Sequence, residues 1–141
     1  MVRAARYLHG ELARSPSLSQ DKDLVIITAY AFMRVPGSAL AREKGAFRTY
    51  IEKMLNDTAY IRESINNTSL THLALILSGS YPAPLQIANN KKDDVYTTLE
   101  NRIAIDARGA YLGVHQGRPL WAYYETPIKD TALLLKALVA D

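Results

Sequence analysis

Leu24-Val-Ile-Ile-Thr-Ala-Tyr-Ala-Phe-Met33 is the stretch whose reading decides the fold. It is rich in β-branched and aromatic residues and apolar on both alternating sets, the pattern of a strand covered on both faces. It is therefore predicted to be a central strand. Val35-Pro36-Gly37-Ser38 breaks it, with Ser38 placed to cap a helix. Upstream, Ala4, Ala5, Leu8 and Leu12 recur at spacings of three and four and predict a helix over 2–14. Ser15-Pro16-Ser17 ends that helix, because proline cannot continue the hydrogen-bond ladder. Residues 17–23 are polar and read as a loop.

Downstream, Leu40, Lys44, Phe47, Ile51, Met54, Thr58, Ile61 and Ile65 step by four and three, predicting a long helix over 39–65. Asn56-Asp57 offers a second reading, in which the segment divides into two helices. The apolar seam can be buried by the chain's own sheet or by a second copy, a homo-oligomer through the long helix. Asn66–Ser69 reads as a turn, Leu70–Ser78 as a second apolar strand and Leu85–Asp94 as a loop. From Leu99 to Arg108, Leu99, Ile103, Ile105 and Ala107 alternate with Glu100, Arg102, Asp106 and Arg108, a strand with one wet face. His115–Arg118 supplies turn residues and Pro119–Thr126 the returning strand of a hairpin. Thr126-Pro127 opens a closing helix whose apolar side is Thr131, Leu134, Leu135 and Leu138. The expected fold is α/β (α+β), a mixed sheet of about four strands with the N-terminal, long central and C-terminal helices packed on it, in one domain over 1–141.

A chain of 141 residues suits a single domain and buries roughly two-thirds of its unfolded surface without a staple. The absence of cysteine excludes disulfides, cysteine-ligated metals and a thiol nucleophile. The apolar runs fall short of the roughly 20 residues a membrane span needs, so no transmembrane segment is expected. The opening residues MVRAARYLHGEL lack a continuous apolar core, so no signal peptide is read there. Net charge is +3, with bases interleaved among acids as in Arg42-Glu43-Lys44 and Lys91-Lys92-Asp93-Asp94. That is a solvated surface and not the clustered stripe of a nucleic-acid binder, so no nucleic-acid partner is expected. Arg3, Arg6 and Arg14 would carry such binding if it existed.

His9, His72 and His115 are far apart in sequence and form no metal-ligand spacing, so neither metal nor cofactor is expected. His72 lies in an apolar segment, where a hydrogen-bonded core histidine is commoner than a catalytic one. Ser78-Gly79-Ser80 lacks the GxSxG elbow. Gly109, Gly113 and Gly117 do not precede a helix as a phosphate loop requires, and suit bulges in the hairpin. Trp121 and Tyr123, after Arg118-Pro119, share one face of the last predicted strand. They either anchor the core beneath the closing helix or, with Arg118, form a binding surface.

Two passages, AARYLHGEL…DKDLVIITAYAF and NRIAIDARGAYL…GRPLWAYYETP, resemble small bacterial envelope lipoproteins of the curli-secretion lipoprotein and tolB N-terminal kind. The order of elements over 4–106, with Asn101-Arg102-Ile103, also resembles the OmpA-like peptidoglycan-binding domain. That family's ligand aspartate is missing where Ala31-Phe32-Met33 stands, and Arg42 is out of register, so its ligand site is absent. The resemblances imply a non-enzymatic domain of the periplasm or the periplasmic face of the outer membrane, acting in assembly or binding an envelope protein or cell-wall component; a native start at Met1 without processing would instead imply the cytoplasm. The alternative is a small enzyme with its site at the strand ends near Tyr30, His72 and Ser80.

Overall fold

A computed structural model describes residues 2–15, 20–35, 40–78, 89–113 and 126–140. The chain is mostly helical. In order come α1 (Val2–Arg14), α2 (Lys22–Met33), α3 (Ala41–Leu55), a π-helical segment (Tyr60–Ser64), α4 (Asn67–Leu77), α5 (Asn89–Asn101), β1 (Ile103–Asp106), β2 (Gly109–Leu112) and α6 (Pro127–Ala140). Among the described residues the only sheet is the antiparallel pair β1–β2. The expected four-stranded mixed sheet is therefore wrong.

The deciding stretch, 24–33, is helix α2 and not a central strand. Asp21 caps it, its Oδ1 accepting from the Leu24 amide at 3.1 Å. Val25, Ile26, Ala29 and Phe32 are buried at helical spacing. The flanking residues are also apolar because α2 packs against both α3 and α4. A helix covered over a wide arc shows no clear period, so its residues read as a buried strand. The β-branched residues cost a few tenths of a kcal/mol each in a helix. Burying Val25 and Ile26 returns about 1.5–3 kcal/mol each, so packing decides.

Residues 70–78, expected as a second strand, lie in α4 and its C-cap Ser78. The polar run taken for a turn is the start of this helix: Asn66 is its N-cap, with Oδ1 accepting from the Ser69 amide at 2.7 Å. α4 is the central element, packed against α2, α5 and α6. Its residues are buried on every side except at His72 and Leu77, which are half-buried.

The 39–65 segment divides as its Asn56-Asp57 pair allowed. α3 stops at Leu55, and Asp57 Oδ1 accepts from the Tyr60 amide at 3.1 Å to start the π-helical segment. Leu40, Phe47, Ile51, Met54, Ile61 and Ile65 are all buried in the chain's own core. That seam is consequently not open to a second copy. Lys44, the polar member at its edge, donates to the Val35 carbonyl at 2.6 Å.

The strand expected over 99–108 is shortened to 103–106, because α5 runs on to Asn101. Part of the loop expected at 85–94 also belongs to α5. The hairpin partner is 109–112, with Asp106 paired to Gly109 and Ile103 to Leu112. Gly109 sits at φ 123°, a conformation open to glycine, which is why the two-residue turn closes there. The returning strand expected at 119–126 falls largely outside the described residues. α1 and α6 stand where the sequence placed them. The buried side of α6 is Asp130, Leu134 and Ala137, whereas Leu135 and Leu138 face outward.

Candidate functional site

A polar seam is enclosed where α2, α4 and α6 meet. Asp23, only 1% exposed, accepts the Tyr60 hydroxyl at 2.8 Å and the Asn66 amide at 3.4 Å through Oδ1. Asp130, equally buried, accepts the Thr68 hydroxyl at 2.9 Å. Lys129 Nζ donates to Thr68 Oγ1 at 3.0 Å and lies 3.6 Å from Asp130. The seam is largely satisfied, as buried polar groups must be. One exception is the Asn66 side-chain amide nitrogen, which is buried without a hydrogen-bond partner among the described residues. These bonds fix the helices relative to one another.

The seam opens outward at Tyr30 and His72. Their rings meet edge to face, 4.6 Å between centroids and 81° between planes. His72 Nδ1 is 2.6 Å from the Thr68 carbonyl oxygen. A carbonyl only accepts, so Nδ1 carries the hydrogen and the neutral ring presents Nε2 as its acceptor. Burial holds the His72 pKa below the ordinary 6.5, and the Lys129 and Lys136 charges add to that against the Thr68 bond. The Tyr30 hydroxyl is approached by Arg34 Nη1 at 3.1 Å and by Lys136 Nζ at 3.5 Å. Cations thus gather along this edge of α6.

The outer face of α6 is different in kind. Ile128 is 86% exposed, Leu135 58% and Val139 89%, and Ile105 on the hairpin is 80% exposed. A groove of about 650 Å³ runs between α6 and the hairpin, lined by Tyr111, Pro127, Ile128, Thr131, Leu135 and Arg108 among others. Large aliphatic side chains exposed together in this way mark interaction surfaces, unlike apolar residues scattered singly. Lys129 and Lys136 border this strip on one side and Arg108 on the other.

The structure thus brings together two residues of the enzyme reading, Tyr30 and His72; Ser80 lies outside the described residues. His72 has the backbone partner expected of a structural histidine. Ser78, of the Ser78-Gly79-Ser80 run, is buried and donates to the Leu75 carbonyl at 3.0 Å. His9 packs between Phe32 and Phe47, with ring centroids 6.5 and 5.7 Å away. Arg118, Trp121 and Tyr123, the expected binding surface, also lie outside the described residues, in the segment that joins β2 to α6. Among the described residues no cluster of three or more histidines and carboxylates has the geometry to hold a metal. No helix among them is long and apolar enough to cross a membrane.

Sequence reasoning missed the apolar outer face and the cations beside it. A signal existed: Ile128, Ala132, Leu133, Leu134, Leu135, Ala137, Leu138 and Val139 surround the whole circumference of α6, whereas only one side was counted. No known protein family, curated protein or solved structure matches this chain.

Proposed function

We propose that this chain is a non-enzymatic protein-binding domain, whose α6–hairpin face receives an amphipathic helical segment of another protein with acidic residues along its apolar stripe. The observation that carries the reading is the outward display of Ile128, Leu135 and Val139 on a helix that already buries Leu134 and Ala137 on its inner side. An apolar strip left facing outward on a helix whose inner side is already packed is one that a partner covers in use. Charge selects the occupant: Lys136 borders the stripe on one side and favours carboxylates along it, whereas Lys129 and Arg108 are already paired with Asp130 and Asp106. Arg118, Trp121 and Tyr123 belong to this proposal as neighbours in sequence of the groove-lining elements.

The enzyme alternative is weakened by His72, whose Nδ1 is committed to Thr68. The envelope location is implied by the resemblance of two passages, within which 24–33 and 99–108 read as strands. The first is helical and the second is a strand only over 103–106, so no location is part of this proposal.

Two synthetic helices with one leucine–alanine stripe, flanked in one by glutamates and in the other by lysines, test the reading by fluorescence anisotropy. The glutamate helix is expected to bind, and a Leu135→Glu, Val139→Glu variant to weaken it at least about tenfold, roughly the loss of one buried aliphatic contact. Binding unaffected by the substitutions, or none with either helix, defeats the proposal.

A further inference from the structure

The hairpin has two outer edges, and α6 lies along that of β2. In an antiparallel pair, residues that bond across the ladder alternate with residues whose N–H and C=O point away from it. The Gly113 amide donates to the Arg102 carbonyl at 3.1 Å, and the register continues as Ile103↔Leu112, Ala104↔Tyr111, Ile105↔Ala110 and Asp106↔Gly109. The residues of β1 that bond to β2 are therefore Ala104 and Asp106, and Ile103 and Ile105 turn their backbone groups outward. On β2 the outward amide of Leu112 is taken up by Thr131 Oγ1 of α6 at 3.0 Å. On β1 the edge lies beside Ile105, 80% exposed, and Ile103, 37% exposed. An open apolar edge invites another strand, and folded chains ordinarily blunt one with lysine, proline, a bulge or an inward charge. Ile103-Ala104-Ile105 carries none of these. Its register is unbroken, and the adjacent charge, Asp106, is held by Arg108 of its own turn at 2.7 Å.

We propose that β1 pairs edge to edge with β1 of a second copy, joining the two hairpins into one antiparallel sheet about a two-fold axis at Ala104. The pattern of β1 is what selects a second copy. Antiparallel pairing through the outward groups sets Ile103 against Ile105 of the partner subunit, and Ile105 against Ile103 of the partner subunit. Backbone donors and acceptors then match one for one, and Ala104 faces its own counterpart. Two β-branched pairs stand on one face of the joined sheet, the kind of cross-strand contact that stabilises a ladder. Centring the pairing on Ile105 instead keeps one isoleucine pair and opposes Ile103 to Ala107 in the turn. A strand of four residues a side makes an interface of the small class, under about 1,200 Å², which is weak and reversible. The inference is independent of the reading of the α6 face, which takes a helix and not a strand.

Sedimentation velocity of the full chain, run up to about 1 mM, is expected to show a monomer–dimer equilibrium. Ile105→Lys puts a charge on the edge twice per dimer and is expected to weaken the dimer at least about tenfold. Its helical circular dichroism and melt are expected to stay those of the parent, because the position is exposed. Val139→Glu, on the outer face of α6, is expected to leave the dimer unchanged. The register is read with cysteine, which the chain lacks. In Ala104→Cys the two thiols meet across the axis as a non-hydrogen-bonded pair, whose Cα atoms stand about 4.5 Å apart, within disulfide reach. Diamide is expected to cross-link that variant about tenfold or more faster than Ala110→Cys, whose exposed site is on β2. A monomer at every concentration, a dimer that Ile105→Lys leaves intact, or equal cross-linking from positions 104 and 110 overturns the edge pairing. Loss of the dimer in Val139→Glu also overturns it, by assigning the association to the α6 face.

Discussion

The Tyr60 hydroxyl donates to Oδ1 of Asp23 at 2.8 Å, tying the π-helical segment to the first turn of α2 across 37 positions of chain. Both residues are buried, Asp23 at 1% exposure. The Asn66 amide, at the N-cap of α4, reaches the same oxygen at 3.4 Å. Ser69 Oγ donates to the Asp23 carbonyl, also at 3.4 Å. One residue thus sets the relative position of α2, the π-helical segment and α4.

Removing that hydroxyl by Tyr60→Phe keeps the ring and takes from Asp23 Oδ1 its 2.8 Å donor. Hydrogen bonds to charged groups contribute about 1.5–3 kcal/mol, and a buried acceptor left short of donors costs within the same range. A loss of that size is expected in urea unfolding, as a lower midpoint at unchanged slope. A change below about 0.5 kcal/mol, the ordinary scale of a surface substitution, would remove Asp23 from its organising role.

The helical identity of 24–33 gives a substitution test that separates it from a strand. Ala31 is exposed, whereas Ala29 is fully buried. Ala31→Lys is expected to change stability by no more than about 0.5 kcal/mol, as a surface helix position does. Ala29→Lys forces a long charged chain into the α2 core and is expected to abolish cooperative unfolding. In a strand covered on both faces the two alanines share one buried face, and both substitutions would be ruinous. Thermal melts followed by circular dichroism at 222 nm, the helix band (about 220 nm), distinguish these outcomes.

What was legible in the sequence follows from how completely each element is covered. α1, with Leu8 and Leu12 against Arg3, Arg6 and Glu11, keeps a wet face and so shows its period. α2 and α4 are enclosed by neighbours and show none, so apolar composition misled where the caps would have corrected it. Asp21 lies three residues before Leu24 and Asn66 three before Ser69, and both are helix starts. The Asn56-Asp57 break was readable because Asp favours a cap over a helix interior. Of the candidate site, Tyr30 and His72 were named as suspects, yet their meeting depends on α2 and α4 packing side by side. Lys129, Lys136 and Arg34 join them only through tertiary structure, which no local spacing encodes.

His72 gives the fold a dependence on pH. Its pKa lies below 6.5 in the folded chain, chiefly through burial. The unfolded chain therefore binds the proton first as pH falls, so stability is full above the unfolded value and declines below it toward the folded value. Unfolding free energy is expected to fall as pH drops through 6.5, and the His72→Gln variant to show a flatter profile over that window. The comparison is made by urea titrations at a series of pH values, where equal slopes in the two proteins would contradict the assignment.

Arg102 joins the end of α5 to the elements before α4. Its Nη1 donates to the Ile65 carbonyl at 2.8 Å and to Asn67 Oδ1 at 3.0 Å, and Nη2 donates to the Arg62 carbonyl at 3.3 Å. The Arg102 carbonyl in turn accepts from the Gly113 amide at 3.1 Å, so the hairpin is attached to the same point. Arg102→Ala is expected to cost about 2 kcal/mol, because carbonyls at the end of the π-helical segment lose their cationic donor. Arg102→Lys keeps the charge but not the fork. A single ammonium on a flexible stem is expected to recover less than half of the loss, since it does not span all three acceptors. Full recovery by lysine would reduce Arg102 to a point charge. Hydrogen exchange at the Gly113 amide separates the two cases, because losing the fork loosens the hairpin attachment and speeds exchange there, whereas a role through charge alone leaves it protected.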